Sequence, residues 1–292
     1  MSPAVNRRQF ITSLAAVPFL SQRPTNKRGL RVAAMDWALA ETMIALGHHP
    51  VAIVAANDWN RFVVEPPLPA GIVDLGLQPE INFELLASLR PDLILTSPFV
   101  QQLEPVLQRI APVARFSIFE QTAIPLEQPR MLTRTLGERF DLADEAESLL
   151  ANAERMLDSY RSRIGAMAPP PVLLVNFIDA RHVRVYGGSG LYQNVLDRIG
   201  VTNAWTGSTN YWGYSTVGIE KLATNTDLRL VAFEPVPPDA RPTLARSPLW
   251  SRLPFVRAGH VAVLPSVLMF GAIPSALRFA RLLVEHLERL LR

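Results

Sequence analysis

The sequence predicts an α/β protein of two lobes, each built on a central sheet, with a long rigid bridging helix between them and a ligand cleft where they meet. The main observation is an internal repeat in which a short helical pattern leads into a buried strand, once over 81–95 and again over 217–230. A second repeat is a helix end followed by a glycine, at Gly47 and at Gly200. A duplicated lobe implies an interface, and interfaces between lobes are where ligands bind.

Composition limits the class of protein. The chain has 292 residues, enough for two domains, and 49% of them are apolar, too many for a disordered chain. It has no cysteine, which excludes disulfides, thiolate metal sites and a cysteine nucleophile. The formal net charge is +3, and no basic run contains interleaved aromatic residues. We therefore expect no nucleic-acid partner.

Residues 1–24 are predicted to be a twin-arginine export signal. Arg7 and Arg8 precede an apolar stretch of about 11 residues, whereas a membrane span needs about 20. The alternative interpretation is an ordinary N-terminal helix that contains two arginines. Export through this signal would place the mature protein in the periplasm.

An N-terminal α/β lobe is predicted over 25–125. Strand and helix patterns alternate there, which is typical of a parallel sheet with crossover helices. Prolines interrupt the stretch over 57–80, which we therefore expect to be a loop. The predicted elements are strand 30–34, helix 37–46, strand 51–55, helix 82–90, strand 92–96, helix 101–110 and strand 113–118.

A helical segment over 126–168 is predicted to bridge the lobes. It has no strand pattern, its leucines form one apolar stripe, and the prolines over 169–171 end it. We expect residues 137–142 to divide it into two helices, the second about 30 Å long over 144–164.

The C-terminal α/β lobe is predicted over 169–292. It opens with a hairpin and ends with an amphipathic helix whose apolar face we assign to the core. The predicted elements are strands 172–177 and 182–186, helices 190–199 and 217–223, strand 228–233, helix 242–252, strand 260–264 and a helix from Ser275.

An aromatic cluster in a glycine-containing loop is the main candidate for ligand contact. Asn210, Tyr211, Trp212 and Tyr214 lie just before the second copy of the repeat. Phenol and indole groups offer flat apolar faces and hydrogen-bond donors. The alternative is a loop that plugs the sheet. Other aromatic candidates for the same cleft are Trp37, Trp59, Phe62 and Phe270.

Motifs of enzymatic chemistry are missing from the sequence. The glycine-rich turn over 187–190 is followed neither by the lysine of a P-loop nor by the last glycine of a nucleophile elbow. The five histidines are scattered, whereas a zinc site needs three or four ligands. We expect His48 and His49 to be solvated just beyond a helix end. No catalytic residue and no metal site are predicted.

Six short stretches resemble the bacterial ABC-transporter solute-binding proteins for iron siderophores and vitamin B12, and in particular their iron(III)-hydroxamate branch. The resemblance covers nearly the whole chain. The stretches are Glu65-Pro66-Pro67-Leu68-Pro69, Val73-Asp74-Leu75-Gly76-Leu77, Arg109-Ile110-Ala111-Pro112, Asp179-Ala180-Arg181-His182, Thr209-Asn210-Tyr211-Trp212-Gly213 and Pro254-Phe255-Val256-Arg257-Ala258-Gly259.

The resemblance implies ligand-binding positions. Trp212 and Asn210 match positions in the ligand wall of the family. Phe62, Phe99 and Phe270 stand where the hydroxamate binders have a tryptophan and two tyrosines. The loss of two phenol groups implies a drier pocket.

Gln78 is the main departure from the family pattern. The hydroxamate binders have an arginine there, which binds the iron-bound hydroxamate oxygens. A glutamine donates hydrogen bonds but carries no charge and no forked guanidinium. The resemblance therefore implies a less cationic pocket, suited to a hydroxamate other than ferrichrome, a mixed-ligand siderophore or a neutral complex. A strongly anionic catecholate would need Arg61 or Arg181 to turn inward.

Two acidic residues are candidates for docking to a permease. Glu104 matches the first-lobe glutamate that meets permease arginines in the family, and Asp197 is our candidate in the second lobe. The alternative for Glu104 is an acid placed at a helix start by the helix dipole.

The expected function is periplasmic binding of a ferric siderophore and its delivery to an inner-membrane ABC permease. The siderophore would hold the iron, so no cofactor and no enzymatic activity are expected, and the protein would be a monomer. Three alternatives stay open. They are a cobalamin or haem ligand (with Tyr211 or Tyr214 as an axial group), an exported hydrolase, and direct binding of free metal.

Overall fold

The computed structural model describes residues 29–78, 80–117, 126–188, 190–223 and 227–290. Two five-stranded sheets, each flanked by helices, form its two lobes, and a long helix links them. The predicted two-lobed α/β class is thereby confirmed. The predicted export signal lies outside the described residues. The domain limits 25–125, 126–168 and 169–292 stay predictions.

The first lobe is built on a parallel sheet whose strands are short and mostly buried. The strands are β1 (Val32–Ala34), β2 (Ala52–Ile53), β3 (Val73–Asp74), β4 (Leu93–Thr96) and β5 (Val113–Arg115). Their order in the sheet is β3-β2-β1-β4-β5, with every pairing parallel. The chain winds one way from β1 to β3 and the other way from β4 to β5. The carboxyl ends of β1 and β4 therefore flank the topological switch point, where α/β sheets bind ligands.

The helices of the first lobe are shorter than the sequence predicts. They are α1 (Trp37–Ala45), α2 (Trp59–Phe62), α3 (Phe83–Ser88) and α4 (Glu104–Leu107), with 3₁₀ turns over Ala56–Asp58 and Pro98–Leu103. The predicted loop over 57–80 therefore contains α2 and β3. The predicted helix 101–110 is a 3₁₀ turn followed by one helical turn. Within the 3₁₀ turn over Pro98–Leu103, Val100 has non-helical backbone angles.

The bridging segment consists of α5 (Glu127–Arg139) and the 25-residue α6 (Ala143–Met167), as predicted. Asp141 adopts a left-handed backbone (φ 57°), which separates the two helices. They approach closely because Gly137 has no side chain: a Cβ there would lie 2.6 Å from the Cβ of Ala146. At 1.5 Å per residue α6 is about 37 Å long, enough to cross both lobes.

The second lobe is built on a mixed sheet. Its strands are β6 (Val172–Phe177), β7 (His182–Tyr186), β8 (Tyr214–Gly218), β9 (Arg229–Phe233) and β10 (Val261–Leu264), in the order β10-β9-β6-β7-β8. The predicted hairpin is confirmed as the antiparallel pair β6–β7. Asp179 shapes its turn, because Oδ1 accepts hydrogen bonds from the backbone N–H groups of Arg181 and His182.

The predicted helix over 217–223 is wrong. Residues 214–218 form β8, which pairs antiparallel with β7, and only a 3₁₀ turn over Ile219–Leu222 follows. The β-branched Thr216 and Val217 favour a strand, and every residue of β7 pairs with a residue of β8. The two copies of the internal repeat, over 81–95 and 217–230, therefore have the strand in common but not the helix.

The remaining helices of the second lobe are α7 (Leu191–Ile199), α8 (Ala240–Ala245), α9 (Pro248–Arg252), α10 (Pro254–Arg257) and α11 (Ile273–Leu290). The predicted helix 242–252 is thus two helices. The break lies at Ser247, whose Oγ accepts a hydrogen bond from the backbone N–H of Trp250 to cap α9, with Pro248 at its first position.

Two helices connect the cores of the lobes. Along α6, Ala146 packs in the core of the first lobe and Leu157 and Ile164 pack in that of the second. Between them Leu150 and Ala153 meet Ile273 at the start of α11. Among the described residues, no helix combines the length and apolar character needed to cross a membrane.

His48 differs from expectation. Its side chain is 6% exposed rather than solvated, and its ring lies 4.7 Å from that of Phe140. The ring nitrogen Nε2 is 3.1 Å from the carbonyl oxygen of Leu30, and burial lowers the pKa of the imidazole. The helix end therefore turns into the core instead of out to solvent.

Candidate functional site

A cavity of about 390 Å³ lies at the carboxyl edge of the first sheet, covered from the side by the loop that follows β10. We call it the inter-lobe cavity. Its walls come from the residues that follow β1, β2, β3 and β4, the edge where the topology predicts a ligand. The lining residues are Asp36, Trp37, Ala38, Val54, Ala55, Asp58, Leu77, Gln78, Phe99, Leu268 and Phe270.

Asp36 ties the two central strands together at the floor of the cavity. Its Oδ1 accepts a hydrogen bond from the backbone N–H of Ala38 (2.8 Å), which caps α1. Its Oδ2 accepts one from the hydroxyl of Ser97 (2.7 Å), just beyond β4. Burial raises the pKa of this carboxyl group, and the two hydrogen bonds oppose that rise. Both of its oxygens are thus occupied within the protein.

Trp37 forms one apolar wall. Its indole N–H donates to the carbonyl oxygen of Val54 at 2.8 Å, which fixes the ring between α1 and the end of β2. Phe62 stacks on the ring at a centroid distance of 5.9 Å and an interplanar angle of 27°. Phe62 therefore supports the wall from behind and does not line the cavity. The guanidinium carbon of Arg61 lies 5.1 Å from the Phe62 ring centroid.

Gln78 lines the cavity, but its amide is turned toward the backbone. Nε2 donates to the carbonyl oxygen of Met35 at 3.0 Å, so one of its two hydrogens is used. Within the described part of the chain, Oε1 has no hydrogen-bond partner. The side chain therefore presents an acceptor as well as a donor, whereas an arginine would present donors alone.

Aromatic rings from both lobes close the side of the cavity. Phe99 stacks on Trp212 of the second lobe, with centroids 4.4 Å apart and planes at 15°. Phe270 meets Phe99 edge-on at 5.4 Å and Trp212 edge-on at 6.0 Å. The ring centroid of Tyr214 lies 6.4 Å from that of Phe270. Phe99 and Phe270 line the cavity, whereas Trp212 and Tyr214 are outside its lining.

The rest of the predicted aromatic loop shapes the wall instead of lining it. The side-chain oxygen of Asn210 accepts hydrogen bonds from the backbone N–H groups of Trp212 (3.0 Å) and Tyr214 (3.3 Å), which folds the loop. Tyr211 is 51% exposed and meets Trp212 edge-on at 4.9 Å. Gly213 packs directly on Gly190, where a Cβ would come within 2.4 Å of the backbone. The glycine-rich turn thus serves packing.

The comparison with known proteins identifies the family. A family model described as periplasmic binding protein matches residues 32–268. The chain belongs to that family. It is therefore a binding protein, and the expectation that it is not an enzyme agrees with its relatives, which are solute-binding proteins.

Individual relatives of the family match 90% or more of the chain. The iron(3+)-hydroxamate-binding protein FhuD of Escherichia coli K12 is 34% identical over 285 residues, 96% of each chain. The achromobactin-binding periplasmic protein of Dickeya dadantii is 25% identical and covers 90% of this chain and 89% of its own. The crystal structure of the Vibrio cholerae siderophore-binding protein FhuD with Fe³⁺–Desferal superposes with a TM-score of 0.80. That protein is 26% identical and covers 90% of this chain and 99% of its own.

The predicted docking acids lie in different settings. The side chain of Glu104 is only 14% exposed; its Oε1 accepts from the hydroxyl of Thr96 at 2.9 Å and lies 3.5 Å from Nε of Arg115. Asp197 is exposed on α7 and accepts from Nε2 of Gln193 at 2.7 Å. Glu104 is thus mostly buried and close to Arg115, whereas Asp197 faces solvent.

Sequence reasoning missed seven lining residues of the cavity, and Asp36, Asp58 and Leu77 are the polar or large ones of the first lobe. Six of the seven follow β1, β2 and β3, so the rule that ligands bind beyond the carboxyl ends of parallel strands would have found them. The seventh, Leu268, also packs against the first-lobe core. Arg61 and Arg181 do not line the cavity.

Proposed function

We propose that this periplasmic binding protein holds a ferric hydroxamate siderophore in the inter-lobe cavity. The observation that carries the proposal is a 390 Å³ cavity with aromatic walls at the switch point of the first sheet, where Phe99 meets the second lobe. Aromatic walls suit the apolar outer surface of a chelated metal complex. The relatives named above for hydroxamate and Desferal support this ligand class.

The route of the ligand is part of the proposal. The twin-arginine signal over 1–24 exports the chain to the periplasm. The mature protein is a monomer there, and an inner-membrane ABC permease receives the ligand-loaded protein. Iron is the cargo and the siderophore supplies its ligands, so the protein binds the outer surface of the complex and needs no cofactor of its own. Membership in a periplasmic family supports this location.

The cavity is proposed to be largely preformed. The helix α6 runs through both cores and meets α11 midway, so the lobes share a continuous packed interior. A rigid site loses little conformational entropy on binding, which favours affinity. We expect the two lobes to keep their relative orientation when ligand binds.

Tryptophan fluorescence tests the proposal. Trp37 lines the cavity, and a ferric complex bound there should quench its emission with micromolar or tighter affinity. The titration compares a ferric trihydroxamate with its iron-free form, a ferric tricatecholate, cobalamin, haem and free Fe³⁺. The variant W37F should lose a large share of the quenching. W250F is the matched control, because Trp250 packs between Phe177 and Phe255 inside the second lobe.

The outcomes separate the candidate functions. Quenching by the ferric trihydroxamate alone supports the proposal. A response limited to cobalamin or haem keeps the family and overturns the ligand. A response to Fe³⁺ without a siderophore would mean direct metal binding. Equal quenching of the wild type and W37F would place the ligand outside the inter-lobe cavity.

A further inference from the structure

The charged groups that line the inter-lobe cavity are all acidic. Its lining includes two carboxylates, Asp36 and Asp58, and neither lysine, arginine nor histidine. The nearest arginine along the chain, Arg61, lies over the ring of Phe62 and is outside the lining. The electrostatic potential contributed by the lining side chains is therefore negative.

The two carboxylates differ in whether their oxygens already have partners within the protein. Both oxygens of Asp36 already accept hydrogen bonds, from Ala38 and Ser97. Asp58 stands at the N-cap of α2, yet its side chain makes no capping hydrogen bond. Throughout the described part of the chain, the carboxylate of Asp58 has no hydrogen-bond donor and no ion-pair partner. It is half-buried, so its charge is only partly solvated.

The polar groups beside Asp58 offer a ligand more hydrogen-bond acceptors than donors. The indole N–H of Trp37 is used by Val54, and Gln78 has used one of its two amide hydrogens on Met35. A cation would satisfy Asp58 and could rest on the aromatic face of Trp37 as well. An anion would meet an unpaired carboxylate in a partly dehydrated site, where electrostatic effects are stronger than in water.

We propose that Asp58 is a specificity-determining residue that selects ferric hydroxamate complexes bearing a pendant primary ammonium group. The inference rests on the proposed function, since it names the charge of the ligand for the same cavity. The ammonium pairs with the Asp58 carboxylate while the apolar body of the complex contacts the aromatic walls. A neutral complex of equal size loses that ion pair and keeps the rest.

The test compares two ligands that differ only in this charge. One is the ferric complex of a linear trihydroxamate ending in a primary amine, and the other is the same complex with the amine acetylated. Fluorescence titration at pH 7 should give the wild type an affinity about 5-fold to 10-fold higher for the amine complex. The preference should shrink as salt is raised from 20 mM to 500 mM.

The variant D58N should weaken binding of the amine complex much more than binding of the acetylated complex. D239N is a matched control, because Asp239 is exposed and also stands at an N-cap, that of α8, without a capping hydrogen bond. It should retain the wild-type preference. The wild-type comparison needs no variant, so the absence of a preference for the amine complex would overturn the inference even where D58N folds poorly.

Two results would overturn the inference alone: equal wild-type affinity for both complexes, or an equal loss of both in D58N. In either case the ferric hydroxamate function would stand. If the wild type bound neither complex, the proposed function would fail, and the charge preference would fail with it.

Discussion

The ring of Phe99, at the end of the first sheet, lies nearly parallel to the ring of Trp212 in the second lobe, with centroids 4.4 Å apart. The two residues are 113 positions apart in the sequence (212 − 99), and their lobes are built on separate sheets. This contact joins the lobes beside the inter-lobe cavity. Side-chain stacking of this kind contributes about 0.5–1.5 kcal/mol beyond the area it buries.

A double-mutant cycle measures this contact. F99L and W212L should each lower the free energy of unfolding, and the double variant should lose less than the sum of the two. We expect a coupling energy of about 1 kcal/mol, measured by urea denaturation. Strictly additive losses would show that the stack contributes nothing of its own to stability.

A second prediction concerns an ion-pair cluster that ties the first lobe to α11. Glu65 accepts hydrogen bonds from Arg278, whose side chain is only 5% exposed, and from Arg281. The variant E65Q leaves a buried guanidinium without its counter-charge. Because Glu65 itself is 44% exposed, we expect a loss of about 2 kcal/mol in unfolding free energy, below the range for a fully buried pair.

The control for E65Q is E147Q. Glu147 pairs with Arg134 at 2.8 Å, but both side chains are exposed to solvent, by 61% and 48%. That variant should change the unfolding free energy by less than about 0.5 kcal/mol. Similar losses in both variants would mean that burial of Arg278 does not govern the cost.

A third prediction concerns the fully buried Glu41 on α1. It accepts hydrogen bonds from the backbone N–H of Ala272 and the hydroxyl of Ser275, at the start of α11. Burial, with a smaller contribution from the charge of Asp36, raises the pKa of this carboxyl group to about 8. The native state thus holds a proton that the unfolded state has released, over the range between pH 4.5 and pH 8.

The sign of the pH dependence follows from that proton. Stability is greatest below the unfolded pKa of the carboxyl group and falls as pH rises through its folded pKa. Between pH 7 and pH 9 the unfolding free energy should drop by about 1 kcal/mol, measured by urea denaturation. In E41Q, which has no titrating group there, the drop should be much smaller. An equal drop in E41Q would assign it to other residues.

A fourth prediction restores the charge that the family resemblance leads one to expect at Gln78. An arginine there would lie in the same cavity as Asp58 and offset its charge. The variant Q78R should reduce the preference for an ammonium-bearing ferric complex and raise the affinity for an anionic one, each by about 5-fold. Q78M, which removes the hydrogen bond to Met35 without adding charge, is the control for fluorescence titrations. If Q78M reproduced the result of Q78R, the effect would be one of shape.

Much of the fold could be predicted because its signals are local. The glycine after α7 and the leucine stripe of α6 predicted those helices, and the hairpin strands β6 and β7 match the prediction over 172–186. β8 was mispredicted although Thr216 and Val217 favour a strand, because its pairing with β7 depends on residues some 30 positions earlier. His48 was mispredicted for a related reason: Phe140, which covers it, belongs to a distant helix.

The candidate site was predicted in part. Trp37, Gln78, Phe99 and Phe270 line the inter-lobe cavity as residue type and resemblance suggested. Asp58 was missed because neither its residue type nor the resemblance marks it, and only its place after β2 at the carboxyl edge of the sheet points to the cavity. Whether a side chain lines a cavity or supports a neighbour depends on packing, as the position of Phe62 behind Trp37 shows. The docking roles of Glu104 and Asp197 stay predictions.

The residues that pack the two lobes together differ from those that line the cavity, and this affects how such a protein acquires a new ligand. The helices α6 and α11 carry the packing shared by the two lobes, whereas the cavity is lined from the ends of strands and the starts of helices. A substitution at Asp58 or Gln78 therefore alters what is recognised without disturbing what keeps the chain folded. Ligand selectivity can therefore change through substitutions in the cavity while the packing of the two lobes is kept. Two proteins of this architecture with superposable backbones can then bind chemically different ligands.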